Sequence, residues 1–549
     1  MKFWMTALAL LMALAEPATA TPGVHGNPDA PRGGVRRERF TVQPATLHPL
    51  NSTDVYGNQV LGYIYESLAV TDPETLEHIP HLARSWNISK DKKTYLFEID
   101  SRARWQDGKP VTAEDVKFSF DVLFNKKLKT FAKWMSYYSN FEKAEVVGSH
   151  KIRFTVKQDH FLNFIRLAGL TIVPRHKFRK EDPDRTSLSK KPMGSGPYLF
   201  DSWVKGTVVK LKRNPSYWGE KLPQNVGANN VNQLMYKIIR VDKVALETLK
   251  KGELDYMGLT PEQWVRETDG KAFGTSLDSG KPVIKLEVRN QSPQSYNYVG
   301  YNLESPLFRD RRTRLAMSHL FDRETFIRKF YHDLRVKAVG PFEVRSRYSS
   351  PKVSPIPFSI KKAIDLLREA GWKDTDGDQI LDRNGKPFSF TIMTADPETS
   401  VKILTLTKEV MRKAGVELNI KVVDWTSFLQ LIDEFKFDAV MLGWSRSPFP
   451  DPTALWHSES AVKGGLNFVR YKNPEVDGLI EKAVRTIPDK ERIGHYQRIH
   501  EIIYHDQPYT FLLERDRILL AYNRKFRNVK PWYKYTVGVD YWWIDRLKP

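Results

Sequence analysis

The sequence predicts an α/β protein with more than one domain. Segments with helical and with strand-like hydrophobic periodicity alternate from about residue 290 onward, which is the order that α/β folds produce. The chain has 549 residues, and at roughly 100–200 residues per domain this length corresponds to two to four domains. No internal repeat or low-complexity segment is apparent.

The first 20 residues have the pattern of a secretory signal peptide. Lys2 precedes an apolar stretch, residues 3–15, and Ala18-Thr19-Ala20 is a small-x-small cleavage pattern, so the mature chain is expected to begin at Thr21. No later stretch approaches the roughly 18–20 uninterrupted apolar residues of a transmembrane helix. We therefore expect an exported protein that is not embedded in a membrane.

Composition excludes several classes of site. The chain has no cysteine, which excludes disulfides, thiolate catalysis, cysteine metal sites and a lipoprotein anchor, so a periplasmic location without a lipid anchor is expected. The formal net charge is +21. The cations are scattered rather than clustered in a motif, which favours a basic solvated surface and no nucleic-acid partner. The early cluster 32–39 lies in a Gly/Pro-rich segment, residues 21–39, that we expect to be a flexible leader.

The first half of the chain contains several recognisable elements. Thr112 begins a helix as its N-cap, with Asp115 as the return partner of a capping box. The other predicted elements are a helix over residues 56–68, a strand over 95–99, and a hairpin of strands 198–203 and 208–212 after a break at 193–197.

A helix over residues 360–370 is predicted in the second half, capped by Ser359 and ended by Gly371, with a strand over 388–393. Between them Asp374, Asp376, Asp378 and Asp382 place carboxylates at the alternate positions of a calcium loop. Gln379 stands where such loops need glycine and the closing glutamate is missing, so we predict a solvated turn and no metal, with a structural calcium ion as the alternative.

Residues 416–447 carry the main candidate site. Apolar and polar residues alternate over 416–422, which predicts a half-buried strand that ends at Asp424-Trp425, and Thr426 is expected to cap the following helix. A second, fully apolar strand over 439–442 ends at Gly443-Trp444-Ser445. Ligands of α/β proteins bind beyond the carboxyl ends of parallel strands. The candidate ligand-binding residues are Asp424, Trp425, Trp444, Ser445, Arg446, Ser447 and Asp451.

This candidate region differs in charge from the rest of the protein. Residues 416–460 contain seven acidic and three basic side chains, a local net charge of −4 within a basic chain. A ligand with a cationic end would be favoured there. Core packing of both tryptophans is the alternative interpretation, because tryptophan is mostly buried whatever its role.

Enzymatic signatures are absent from the sequence. It has no Gly-x-Ser-x-Gly elbow, no phosphate-binding loop and no GxGxxG. His500 and His505 are five residues apart, so they lie on different helix faces and are not expected to share a metal. We therefore predict no catalytic residues and no cofactor.

Short motifs spread over nearly the whole chain resemble the family-5 extracellular solute-binding proteins, the periplasmic oligopeptide- and dipeptide-binding components of ABC importers. The matching segments are 65–68 (Tyr-Glu-Ser-Leu), 80–86 (Pro-His-Leu-Ala-Arg-Ser-Trp), 105–116 (Trp-Gln-Asp-Gly-Lys-Pro-Val-Thr-Ala-Glu-Asp-Val), 194–198 (Gly-Ser-Gly-Pro-Tyr), 213–218 (Arg-Asn-Pro-Ser-Tyr-Trp), 252–255 (Gly-Glu-Leu-Asp), 473–477 (Asn-Pro-Glu-Val-Asp) and 506–509 (Asp-Gln-Pro-Tyr). Their order makes the combined match specific, although each motif is weak alone.

The resemblance implies a two-lobed periplasmic-binding-protein (flytrap) fold with an additional third domain. Mapped onto this chain, it places lobe I in residues 40–76, 194–287 and 508–549, the extra domain in 77–193, and lobe II in 288–507. The hinge would lie at chain crossings near Val288 and Gln507. In peptide binders of the family, an aspartate three residues after the equivalent of Trp444 holds the peptide's α-ammonium group. Here that position is Ser447, and a serine does not replace a charge-assisted bond.

The resemblance therefore implies a monomeric receptor that closes on a peptide-like ligand and delivers it to ABC transporter permease subunits. We expect Trp425 and Trp444 to form apolar walls, Ser445 and Arg446 to donate hydrogen bonds, and Asp451 or Asp424 to pair with an ammonium group. The alternatives are the same fold binding a non-peptide solute, such as an oligosaccharide or metal chelate, a basic chaperone-like binder of unfolded chains, or a secreted hydrolase, for which the chain offers no assembled site.

Overall fold

The computed structural model describes residues 23–178, 184, 186–268, 270–289, 295–395, 398–447, 450–486, 489–529 and 536–545. The predicted signal peptide, residues 1–20, lies outside this described part. Within it, no helix is long and apolar enough to cross a bilayer.

The strands, numbered in chain order, are β1 Val35–Phe40, β2 Ala69–Thr71, β3 His78–Pro80, β4 Ala83–Ile88, β5 Thr94–Ile99, β6 Phe141–Gly148, β7 Lys151–Val156, β8 Tyr198–Val204, β9 Val208–Arg213, β10 Gln233–Ile238, β11 Tyr256–Gly258, β12 Phe273–Gly274, β13 Val283–Val288, β14 Tyr296–Tyr301, β15 Val336–Lys337, β16 Asp382–Arg383, β17 Lys386–Pro387, β18 Ser389–Thr394, β19 Glu417–Val422, β20 Ala439–Trp444, β21 Tyr509–Glu514, β22 Ile518–Asn523, β23 Phe526–Arg527 and β24 Trp543–Ile544.

The α-helices are α1 Val55–Leu61, α2 Ala113–Asp121, α3 Phe131–Tyr138, α4 Asn163–Ala168, α5 Asp242–Lys250, α6 Arg311–His319, α7 Arg323–Tyr331, α8 Ile360–Glu369, α9 Thr399–Lys413, α10 Trp425–Asp433, α11 Thr453–Trp456, α12 Pro474–Arg485 and α13 Asp489–Asp506. Strands and helices are mixed throughout, so the predicted α/β class is confirmed.

An eight-stranded sheet organises what we call the first lobe. Its strand order is β12-β13-β22-β11-β1-β10-β9-β8, and β8 and β9 form the predicted hairpin. β1 lies inside this sheet, parallel to both β10 and β11. Residues 35–39, expected in a flexible leader, therefore form an interior strand. The charged side chains of β1 can be buried in the sheet because Arg36 and Glu38 pair with each other at 2.7 Å, and both are 3% exposed.

A four-stranded antiparallel sheet, β4-β5-β7-β6, forms the extra domain together with α2, α3 and α4. The predicted strand over 95–99 is confirmed as β5. The predicted capping box at the start of α2 is also present, because the Asp115 carboxylate accepts the backbone N–H of Thr112 at 3.0 Å. The domain packs on the first lobe: Val122, Leu128 and Val173 belong to the first lobe's hydrophobic cluster.

A six-stranded sheet with the order β15-β21-β14-β20-β18-β19 organises the second lobe. β18 lies between β19 and β20 and is parallel to both, while β14 and β21 run antiparallel to their neighbours. The predicted strands 388–393, 416–422 and 439–442 are thus confirmed, and so is the helix capped by Ser359. Val422 departs from the half-buried pattern, since it is 48% exposed.

The chain crosses between the two large sheets after β13 and again after β21. Residues 509–514 were expected in the first lobe, but β21 pairs with β14 and β15 in the second sheet. The second crossing therefore lies at residues 515–517 rather than at Gln507. The sequence is misleading here because β21 and β22 are both apolar and only three residues separate them. The other predicted domain limits stay predictions.

The first helix is shorter than the predicted segment 56–68, because α1 ends at Leu61. The backbone carbonyls that would continue it have partners elsewhere: the carbonyl of Tyr63 accepts the N–H of Tyr198 at 3.1 Å, and that of Ile64 accepts the N–H of Gly196 at 2.8 Å. Tertiary pairing with the 194–198 segment thus replaces the helical hydrogen bonds that the apolar periodicity suggested.

Candidate functional site

The predicted site residues lie at one edge of the second sheet. β18, β19 and β20 end at this edge, β14 and β15 begin there, and β21 also ends there, because the strands on either side of β14 run antiparallel to it. Both crossings to the first lobe leave from the same edge, which therefore faces the first lobe. The ends of β19 and β20 are separated only by β18, so roughly 10 Å divides their polar segments.

Asp424 is the N-cap of α10, a role that we predicted for Thr426. Its carboxylate accepts the backbone N–H groups of Thr426 at 3.0 Å and Ser427 at 3.1 Å, and the Ser427 hydroxyl at 2.5 Å. The Ser427 hydroxyl and these N–H groups lower the pKa of Asp424. Asp424 caps better than Thr426 because the strand ends two residues earlier and leaves it in an extended conformation. The carboxylate is exposed and ionised at the sheet edge.

Trp425 and Trp444 are both half-buried at this edge. The Trp444 ring lies parallel to Tyr298 with ring centres 6.3 Å apart, and its indole N–H donates to the Tyr509 hydroxyl at 3.3 Å. Tyr298 and Tyr509 are themselves stacked at 3.9 Å. Trp425 stacks on Phe428, and among the described residues its buried indole N–H has no acceptor. Each indole ring is thus held in place by the aromatic ring on which it stacks.

Arg446 is held inside the second lobe. Its guanidinium pairs with Glu514 at 2.8 Å, donates to the backbone carbonyl of Pro341 at 3.1 Å, and lies 4.4 Å above the ring of Tyr296. The side chain is 7% exposed. Burial raises the pKa of Glu514 more than Arg446 lowers it. Arg446 therefore braces β20 against β21, while its neighbours Ser445 and Ser447 are exposed.

Asp451 forms an ion pair with Arg166 of the extra domain. Arg166 lies on α4, and its side chain is 8% exposed while that of Asp451 is 10% exposed. The Asp451 carboxylate also accepts the backbone N–H of Thr453 at 3.0 Å. Desolvation acts to raise the pKa of Asp451, but the Arg166 charge outweighs it and the pKa lies below its ordinary value. The carboxylate that we expected to meet an ammonium group is thus neutralised across a domain boundary.

Further contacts join the extra domain to the second lobe around this pair. Lys133 of α3 lies 3.4 Å from Asp433 at the end of α10, and the backbone N–H of Phe161 donates to the carbonyl of Val484 at 3.0 Å. A cavity of about 520 Å³ lies between these surfaces. Its lining includes Phe131, Met135, His160, Arg166, His457 and Val484. His160 is buried there, and desolvation, followed by the Arg166 charge, lowers its pKa to about 3.

The sequence predicted neither the Arg166 partner of Asp451 nor the tyrosine stack beneath Trp444. Arg166 lies 285 positions before Asp451, and no local pattern links the two residues. The tyrosine stack beneath Trp444 left a weak signal, because Tyr296, Tyr298 and Tyr301 are aromatic residues within one short strand. Pro448 and Phe449, in the loop between Ser447 and Asp451, lie outside the described residues.

The aspartate-rich turn is separate from this edge. Ligand atoms of Asp374, Asp376 and Asp382 lie within 4.8 Å of one another, a spacing that a cation would fit. The Asp374 carboxylate accepts the backbone N–H groups of Gly377 at 2.7 Å and Gln379 at 3.1 Å. Gln379 adopts a positive φ of 69°, the conformation for which calcium loops use glycine.

Comparison with models of protein families shows the family of this chain. The model of the bacterial extracellular solute-binding proteins, family 5 (middle region), matches residues 77–465. The chain belongs to this family. The resemblance drawn from the short motifs is confirmed, and so is the two-lobed fold with an extra domain.

Relatives within family 5 extend this result to nearly the whole chain. The oligopeptide-binding protein AppA of Bacillus subtilis (strain 168) is 30% identical over 517 residues, which cover 92% of this chain and 90% of AppA. The structure of AppA in complex with a nonapeptide matches with a TM-score of 0.83 at 28% identity, over 94% of this chain and 100% of that one.

Two solved structures of lower identity show the fold alone. The periplasmic binding protein DppA from Helicobacter pylori, in complex with the peptide STSA, matches with a TM-score of 0.81 at 22% identity, over 94% of this chain and 99% of that one. NikZ from Campylobacter jejuni, in complex with Ni(L-His), matches with a TM-score of 0.77 at 24% identity, over 93% and 99%.

Proposed function

We propose that this chain is a periplasmic receptor that binds peptides between its two lobes and delivers them to the permease of an ABC importer. The observation that carries the proposal is the match along the whole chain to AppA, an oligopeptide-binding protein whose structure holds a nonapeptide. The edge of the second sheet supports it, because aromatic walls and exposed polar residues there face the first lobe. The role is binding without catalysis, as expected in a family of binding proteins.

Closure of the lobes would be the working step. A ligand that contacts both lobes favours the closed arrangement, and the permease would recognise that arrangement. The two chain crossings, after β13 and after β21, would act as the hinge. On the far side, contacts of Arg166 and Lys133 with the second lobe would form and break with closure. We further propose export with cleavage after Ala20, a periplasmic monomer, and no lipid anchor.

The site residues would divide the work as follows. Trp425 and Trp444 would pack against apolar parts of the ligand, and Ser445 and Ser447 would form hydrogen bonds with it. Asp424 would remain as the exposed carboxylate for a cationic group. Arg446 would position β20 rather than contact the ligand, and Asp451 would act in closure, because both are held by buried ion pairs.

One observation favours a second candidate, a non-peptide solute in the same cleft. Ser447 stands where peptide binders of the family carry the amine-binding aspartate, and the nearby carboxylate of Asp451 is already paired with Arg166. A ligand without a free α-ammonium group would suit this arrangement.

The test is the identity of the bound solute. Protein purified from its native source is analysed by native mass spectrometry, and the solute released on denaturation is then identified. Co-purified peptides are the expected result. A sugar or a chelate, together with no binding from a peptide library, would contradict the peptide proposal and support the second candidate.

Trp444→Phe tests the site assignment with the same library. The smaller ring removes part of the proposed wall and the hydrogen bond to Tyr509, so we expect at least tenfold weaker binding. Trp372→Phe is the matched control, because Trp372 is buried against Phe388 near the opposite edge of the sheet. Equal affinities of the two variants would remove Trp444 from the site.

A further inference from the structure

Two arginines lie opposite each other where the second sheet meets the first lobe. In the antiparallel pairing of β15 with β21, Val336 is opposite Glu514 and Lys337 is opposite Leu513. The same register, continued by one residue, places Arg335 opposite Arg515. Directly opposed residues on neighbouring strands have Cβ atoms about 4.5–5.5 Å apart, and like charges in this arrangement are destabilising. Something must offset the repulsion between them.

These arginines are located between the lobes. Arg515 is the first residue of the crossing from β21 to β22, and its backbone N–H donates to the carbonyl of Ser295, in the other crossing, at 3.2 Å. Its charge interacts with Tyr331 of the second lobe and with Tyr56, which lies on α1 of the first lobe. The Arg335 guanidinium lies 5.2 Å from the centre of the Tyr331 ring.

Both arginines are accessible to solvent, and both are partly desolvated by the surrounding protein. Arg515 is exposed and Arg335 is half-exposed. Desolvation nevertheless lowers the pKa of both, and for Arg335, whose pKa falls to about 10, the Arg515 charge is the next cause. Arg515 lies on the crossing and interacts with tyrosines of both lobes, so the pair borders the space between the lobes, where partial desolvation strengthens the interaction of a cation with an incoming anion.

Nearby carboxylates do not neutralise the pair. Within the described ranges, neither guanidinium forms an ion pair. Three nearby acidic groups are bound to other cations: Glu514 to Arg446 at 2.8 Å, Asp516 to Arg517 at 2.7 Å, and Glu262 to His332. In the sequence, the segment 290–294 that precedes Ser295 is Asn-Gln-Ser-Pro-Gln, which carries no charge.

We propose that Arg335 and Arg515 bind an anionic group of the captured solute, a carboxylate, at the hinge end of the cleft between the lobes. This inference rests on the proposed function and specifies its substrate class as solutes with a negative end. A guanidinium presents a planar fork of N–H groups that matches a carboxylate, and two forks facing one anion remove the repulsion between them. For a peptide ligand the group would be its C-terminal carboxylate.

The experiment compares two libraries of random pentapeptides, one with free C-terminal carboxylates and one amidated. Each is offered to the full-length mature protein, and captured peptides are quantified by mass spectrometry. We expect the wild type to retain the free acids at least tenfold better, which corresponds to about 1.4 kcal/mol. Arg515→Gln and Arg335→Gln should each lose this preference by weakening the capture of acids and not of amides.

The matched control is Arg309→Gln. Arg309 is exposed near the opposite edge of the same sheet, beyond the end of β14. Because one arginine is replaced by glutamine in each, the variant has the same net charge as Arg515→Gln. It should keep the wild-type preference. Equal capture of acids and amides by the wild type would overturn the inference and leave the peptide receptor standing.

Capture of neither library would count against the proposed function, and a second measurement then decides the inference. Inorganic phosphate and citrate are added separately to ligand-free wild type and to Arg515→Gln. A rise in melting temperature that requires Arg515 would support the anion site, and the two anions would separate a phosphate preference from a carboxylate preference. No Arg515-dependent rise would overturn it.

Misfolding of the variants is distinguishable from loss of the site. Because the two charges repel, ligand-free Arg515→Gln should melt at a higher temperature than the wild type while binding the acids more weakly. Arg515→Lys, which keeps the charge but not the fork, should bind the acids with intermediate strength. A variant that melts lower and binds every probe more weakly would contradict a specific role for this pair.

Discussion

His500 is a buried residue whose two ring nitrogens fit a neutral imidazole. Its Nδ1 accepts the backbone N–H of Ser350 at 3.0 Å, while Nε2 lies 3.3 Å from the carbonyl of Val339 and donates to it. The side chain is fully buried. A second proton would have to displace the Ser350 N–H from Nδ1, and desolvation, the largest cause, lowers the pKa of His500 to about 4.

This residue predicts a loss of stability in acid. Unfolded histidine titrates near pH 6.5, so between about pH 6.5 and 4 the unfolded chain binds a proton that the folded protein does not. The contribution of His500 to stability is fully present above about pH 6.5 and is lost as the pH falls toward 4, which lowers the free energy of unfolding by roughly 3 kcal/mol. The measurement is the free energy of unfolding in urea at several pH values, for wild type and His500→Asn.

The variant cannot titrate at this position, so its stability should fall less steeply between pH 6.5 and 4 than that of the wild type. His160, whose pKa is also lowered by burial, remains in both proteins and does not affect the comparison. Parallel pH dependences would show that His500 is as easily protonated in the folded protein as in the unfolded chain.

At the scale of elements, the contact between residues 63–64 and 194–198 decides where α1 ends. It depends on glycine: a Cβ at Gly196 would lie 2.6 Å from the carbonyl oxygen of Tyr63 and 2.8 Å from that of Ile64. Both atoms belong to the backbone, so neither can rotate away.

Gly196→Ala is therefore expected to lower the free energy of unfolding by about 1–3 kcal/mol, the usual cost of overpacking. Gly478→Ala provides the opposite control, because Gly478 lies within α12 and a Cβ there meets no atom within 4 Å. That change should stabilise the protein by about 0.5–1 kcal/mol through helix propensity. Urea unfolding measures both, and a neutral Gly196→Ala would mean that the two segments can separate at little cost.

Elements with a local cause could be predicted from the sequence, and elements with a tertiary cause could not. The capping box of Thr112 and Asp115 and the helix begun by Ser359 depend on neighbours within a few residues. The end of α1, the interior position of β1 and the sheet membership of β21 depend on partners more than 100 residues away. The candidate site divides in the same way: strand ends marked Trp425 and Trp444, but nothing local to Asp451 indicated Arg166.

At the scale of the whole molecule, the Arg166–Asp451 pair joins the extra domain to the second lobe. Removing one member of a buried pair leaves an uncompensated charge and typically costs 3–5 kcal/mol. If the two surfaces separate when the lobes open, opening returns that charge to water. Arg166→Gln and Asp451→Asn should then shift the ligand-free protein toward an open form rather than unfold it.

Small-angle scattering measures this shift as a larger radius of gyration, with weaker ligand binding because closure becomes more costly. The double variant should recover part of both effects, since it leaves no unpaired charge. Lys117→Gln, which breaks an exposed pair with Asp121 on α2, is the control and should change neither. Lower melting temperatures with an unchanged radius of gyration would show that this interface does not open.

The order of the eight-stranded sheet has a consequence for folding during synthesis. β22 lies between β13 and β11, so the sheet has a gap until residues 518–523 are available. Every strand of the second sheet lies within residues 296–514, so that lobe has its parts earlier. The first lobe begins at β1 and needs a strand nearly 500 residues later, a closure of very high contact order. During synthesis from the N-terminus the second lobe therefore has all its strands before the first lobe does, and the sheet of the first lobe stays incomplete until β22 is made.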